Sequence, residues 1–91
     1  MGKKTVKYNE KGLDKLPNDK PVVYKIQTAS AATNYVGIAK KGRVRERIKE
    51  HLGEYPGVKV QIEQMPTIKE ARKKEKKLII RIKPKYNEQG K

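Results

Sequence analysis

The sequence predicts an α+β fold whose elements run ββαβα, with a polar arm before them and a short tail after. Two patterns carry that reading. Residues alternate in hydrophobicity on both sides of the small-residue run 28–33 (TASAAT), as in a hairpin. Farther on, Thr67 and Glu70 form a capping box ahead of a stretch whose Ile68, Ala71, Leu78, Ile79 and Ile82 recur at helical spacing.

Each element follows from its own residues. Residues 1–20 are polar, broken by Gly2, Gly12 and Pro17, and read as an N-terminal arm tacked down by Leu13 and Leu16. Pro21 opens a strand at 22–26, with Val22, Tyr24 and Ile26 on one face and Lys25 opposed. A second strand at 34–39 puts Tyr35, Gly37 and Ala39 on one side. With Thr28 opposite Thr33, Tyr24 faces Gly37 and Ile26 faces Tyr35. Both tyrosines then share a face, with open space beside Gly37. A slip of one residue would part them.

Gly42 leads into a helix at 43–52, where Val44, Ile48 and Leu52 share a flank with Arg47 and His51. Gly53, Pro56 and Gly57 end it, and Val58, Val60 and Ile62 alternate as a third strand. The helix that starts at Thr67 closes by Lys83, because Pro84 disfavours helical geometry in the residue before it.

Composition narrows the function. The chain of 91 residues suits one small domain, residues 21–87 with a tail at 88–91. Lys and Arg number 24 against 10 Asp and Glu, a net charge of +14, which favours a polyanionic partner through counterion release. Without cysteine, and with one histidine, disulfide frameworks, Cys-based zinc sites and multi-His sites are excluded. No run is long enough to span a bilayer, and no basic helix carries a broad Trp/Leu face for a membrane surface. The expected location is the cytoplasm.

One residue breaks the pattern. Glu75 sits inside the apolar stripe of the last helix, at i+4 from Ala71 and i−3 from Leu78. A carboxylate there is costly unless something pairs with it or binds it. A metal ion, a basic group such as Arg72 one turn back, or both would serve.

Several pieces then coincide in order. LPNDKPVVY leads into the first strand, Tyr24 precedes Tyr35 by 11 positions, and Tyr35-Val36-Gly37 precedes a basic helix holding Arg47 and His51. Glu75 follows, then Pro84-Lys-Tyr-Asn87. From about Leu16 to Asn87 the chain resembles the GIY-YIG nuclease superfamily, whose members include the N-terminal nuclease of bacterial excision repair.

The resemblance implies a small, mainly antiparallel three-stranded sheet flanked by helices, and metal-dependent phosphodiester hydrolysis. Val22-Val23-Tyr24 stands where the family has GIY, and Tyr35-Val36-Gly37 where it has YIG. Arg47 takes the catalytic arginine's place, with His51 one turn on, Glu75 that of the metal-binding glutamate and Asn87 that of the tail asparagine. Two departures stand out. Val22 replaces the first glycine, and the stretch from Gly37 to Arg47 is longer than the family's, which leaves Arg45 and Arg43 as alternatives.

The chemistry suits these side chains. Glu75 can hold a single Mg²⁺ or Mn²⁺ with water and phosphate completing the shell. Arg47 can grip two phosphate oxygens. Tyr35, ahead of Tyr24, is the choice to position the attacking water, with nearby positive charge drawing the phenol pKa down from ~10. His51 can accept a proton or hold a phosphate. Gly37, Lys40, Arg43, Arg45 and Asn87 are expected along the nucleic acid. The expected activity is a DNA endonuclease that nicks duplex or branched DNA in a setting such as repair. RNA ranks second as substrate, and a protein partner would supply specificity. The alternative is a basic nucleic-acid-binding module on the same fold that cuts weakly or not at all.

Overall fold

The computed structural model describes residues 3–30 and 32–84. Its elements are β1 (Lys3–Lys7), α1 (Glu10–Leu13), β2 (Val22–Gln27), β3 (Thr33–Ala39), α2 (Val44–Lys49), β4 (Lys59–Gln64) and α3 (Ile68–Ile82). The α+β class is as expected, but the sheet has four antiparallel strands, in the order β1-β4-β2-β3, rather than three.

The added strand comes from the segment read as an arm. β1 pairs along its length with β4, and Val6 is its one buried residue. Such a strand leaves little trace in sequence, because an edge position tolerates lysines at nearly every site. The arm then turns through α1, whose Asn9 side chain accepts from the Gly12 N–H. Leu13 and Leu16 are fully buried. They are core residues, not tacks, so Leu16→Ala is expected to cost about 2–5 kcal/mol in a denaturant melt.

The hairpin register holds where it matters. Tyr24 pairs with Gly37 and Ile26 with Tyr35. Nearer the loop an irregularity after Ile26 brings Gln27, not Thr28, opposite Thr33. α2 is shorter than expected because its last turn tightens into i→i+3 bonds, His51 N–H to Ile48 and Leu52 N–H to Lys49. α3 starts as predicted, with Thr67 Oγ1 accepting from the Glu70 N–H at 3.2 Å, and ends at Lys83, whose φ is 52°.

Period-two alternation gives each strand two faces, and each face has its own core. Val22, Tyr24, Ile26, Ala39, Val60 and Ile62 pack with α1 and α2. Val23 and Val36 pack on the other side against Ala71 and Leu78 of α3. The molecule is thus three layers, with β3 as an outer strand between α2 and α3. Among the described residues, no helix is long and apolar enough to cross a membrane.

Candidate active site

β2 and β3 place the two tyrosines. Tyr24 lies on a strand flanked on both sides and is fully buried. Tyr35 lies on the outer strand and is half-buried, its ring centroid 6.1 Å from that of Tyr24. The space expected beside Gly37 is not open. A Cβ built on Gly37 would stand 2.5 Å from the Tyr24 hydroxyl oxygen, so the glycine exists to let that phenol lie across the strand.

α2 and the turn after it add Arg47 and His51. The Tyr24 hydroxyl and His51 Nε2 are 2.7 Å apart. Arg47's guanidinium beside the phenol favours its ionisation, but burial dominates and pushes the Tyr24 pKa well above its ordinary value. Tyr35 is raised too, by burial first and then by Tyr55. The downward shift expected from nearby positive charge is therefore outweighed in the chain on its own. Neither phenol is poised to ionise unaided.

The proton on Tyr24 has a place to go. Arg47 can only donate, so the phenol oxygen receives from that side and its O–H turns to His51 Nε2. The remaining imidazole proton then sits on Nδ1, which faces Glu54 Oε1 at 3.5 Å without hydrogen-bond alignment. Burial lowers the His51 pKa and keeps the ring neutral, as an acceptor must be.

That shift has a consequence for stability. The folded chain binds the His51 proton less tightly than the unfolded chain, so stability is whole above the ordinary pKa of 6.5 and falls as pH drops below it. A His51→Gln variant, compared with wild type in melts across that range, is expected to lose this part of the pH dependence.

α3 supplies the carboxylate. Glu75 is half-buried and makes no hydrogen bond or ion pair among the described residues; Arg72 is near enough to lower its pKa, but no bridge forms. Desolvation wins and raises the Glu75 pKa. Glu75 in turn raises both tyrosines, and Arg47 lowers all three. The four groups therefore share one electrostatic neighbourhood. No cluster of three or more His, Cys, Asp or Glu lies among the described residues. A divalent ion here would be held by Glu75 with water and phosphate, and a desolvated, unpaired carboxylate fits that use.

A groove of about 340 Å³ runs alongside, lined by Lys40, Arg43, Arg47 and Arg72 with Ile38 and Ile68. Two of the expected binding residues, Lys40 and Arg43, line it. Arg45 does not: its Nε donates to the Leu16 carbonyl at 2.7 Å, which ties α2 to the end of α1. Asn87 lies outside the described residues.

Two residues had no part in the sequence reading of the site, and a third takes a different part from the one expected. Tyr55 stacks on Tyr35, centroids 4.4 Å apart and planes at 16°. Tyr8 donates to the His51 carbonyl at 2.5 Å, and burial holds its own pKa up at about 12. Arg72 joins the groove instead of neutralising Glu75. An aromatic residue next to Pro56 and Gly57 was the only signal for Tyr55, and Tyr8, in a largely polar stretch, gave none. In comparisons with known proteins, the chain matches no family model, no curated protein and no solved structure.

Proposed function

We propose that this chain is a divalent-metal-dependent DNA endonuclease that nicks phosphodiester bonds, a GIY-YIG-type enzyme working in the cytoplasm. The observation that carries the reading is Glu75: a desolvated carboxylate, unpaired among the described residues, within electrostatic reach of two tyrosines and of Arg47 and Arg72, which line a cationic groove. A bound Mg²⁺ or Mn²⁺ would supply Lewis acidity for the phosphate and the departing oxygen.

The side chains do the rest. Arg47, half exposed and facing the groove, takes the non-bridging oxygens of the scissile phosphate and holds them as charge builds. Tyr35, the more accessible phenol, positions the attacking water. Tyr24's hydroxyl, 2.7 Å from His51 Nε2, holds the neutral imidazole in place behind the site, so His51 serves as a positioning residue. Lys40, Arg43 and Arg72 bind flanking phosphates of duplex or branched DNA, with target choice supplied by a protein partner.

A second reading, a binding module that cuts little, is favoured by Tyr24's complete burial and the raised pKa of both phenols. Supercoiled plasmid incubated with Mg²⁺ or Mn²⁺ separates the two. Nicking that needs metal and disappears in Glu75→Ala, while DNA binding persists, supports the enzyme. Tight binding with no nicking under any metal supports the module.

A further inference from the structure

Lys25 is a second charged residue in a place that should be apolar. β2 is flanked by β3 and β4, and on the face that α3 covers its residues are Val23 and Lys25. Lys25 is half-buried and makes no hydrogen bond or ion pair among the described residues. Lysine is rarely retained at such a site unless something engages it.

What surrounds it is more positive charge. A hollow of about 140 Å³ is lined by Lys3, Lys25, Lys74 and Arg81, with Glu63 as its one carboxylate. Glu63 is already engaged by Lys74 at 2.6 Å. Lys74 and Arg81 project from the same margin of α3, seven residues apart, while Arg72 lies on the opposite margin with the catalytic groove. Lys3 enters from β1, opposite Glu63 in register. Burial, then Lys3 and Lys74, lower the pKa of Lys25 against the opposing pull of Glu63, as expected where cations outnumber their counter-charge.

We propose that this hollow binds a backbone phosphate of DNA, as an anchoring site separated from the cleavage groove by α3. Four cations around a small concavity gain most from a compact dianion or phosphodiester, which relieves their mutual repulsion and draws Lys74 from Glu63. DNA is the occupant because its backbone offers such groups in series, so one duplex can engage both margins of α3. The inference rests on the chain's ligand being DNA but not on its cutting it.

Binding is therefore measured in the Glu75→Ala background, by fluorescence anisotropy of a labelled duplex across a salt series. A Lys25→Gln/Arg81→Gln double variant is expected to bind more weakly. Its plot of log K against log salt should be shallower by about 0.9, the share of the one phosphate that is no longer neutralised. Lys25→Arg/Arg81→Lys, which keeps both charges, should restore the slope, and Lys11→Gln on α1 should leave the parent slope unchanged. The proposal is overturned if the double variant keeps the parent slope, if the charge-keeping variant fails to restore it, or if the parent does not bind DNA. Absence of nicking by wild type would sink the nuclease reading alone and leave this measurement intact.

Discussion

A Glu75→Leu chain is expected to melt above wild type and yet to cut no DNA. Both effects come from the same environment. Glu75 lies in the apolar stripe of α3, between Ala71 and Leu78, and no cation among the described residues bridges it. Replacing it with leucine removes a desolvated charge and adds apolar area, a gain of roughly 0.5–1 kcal/mol after allowance for the carboxylate's partial exposure. Cleavage should fall by on the order of 10²–10³-fold, because a metal-held phosphate is worth several kcal/mol in the transition state.

The sign of the pH dependence tests the cause. Burial raises the Glu75 pKa above its ordinary 4.5, so the folded chain holds that proton more tightly than the unfolded chain. The penalty is absent below the ordinary value, grows as pH rises through it toward the folded value, and is constant above. The stabilisation by Glu75→Gln should therefore be present at neutral pH and vanish at about pH 3. A Glu75→Gln chain that melts below wild type at neutral pH without metal would mean that the carboxylate is held by a partner, and the open metal-ligand reading would fail.

Gly37→Ala should cost both stability and cleavage, because its added methyl meets the phenols of the candidate site. The new Cβ would lie 2.5 Å from the Tyr24 hydroxyl oxygen, 2.6 Å from its Cζ and 2.9 Å from Tyr35 Cε2. Tyr24 is fully buried and cannot swing into solvent. The strand or the ring must shift, at about 1–3 kcal/mol. That shift also breaks the 2.7 Å approach of Tyr24 to His51, so nicking should fall with stability. Tyr24→Phe removes the nearest clashing atom. In a double-mutant cycle followed by thermal melts, Gly37→Ala should cost less in the Tyr24→Phe background. Equal costs in both backgrounds would show that the clash lies with the ring or the backbone and not with the hydroxyl.

The parts of the fold legible in sequence are those whose signal is local. Thr67 and Glu70 set the start of α3 through a bond between neighbours in the chain, and Pro84 set its end. Alternation in β2 and β3 fixed which side chains share a face, and so brought Tyr24 to Gly37 and Ile26 to Tyr35. β1 escaped because its pairing partner lies more than fifty residues away and an edge strand needs one apolar residue to hold its register. The role of Gly37 was misjudged for a related reason: alternation says which face a side chain takes, but not that a phenol will fold over the gap.

For the candidate site the division is similar. Glu75 was visible because a charge inside an apolar stripe is anomalous whatever it touches, whereas Lys25 was not, because a lysine opposed to an apolar face reads as solvent-facing until α3 is seen to cover it. Tyr55 on Tyr35, Tyr8 on the His51 carbonyl, and Arg45 turned to Leu16 instead of the groove were not visible. The sequence by itself determined the residue types, their faces and the misplaced charge of Glu75, since these follow from spacing along one backbone. Only the tertiary structure decided which charges stay unpaired and which phenol meets the imidazole, because desolvation and hydrogen-bond distance depend on elements that meet only when the sheet closes.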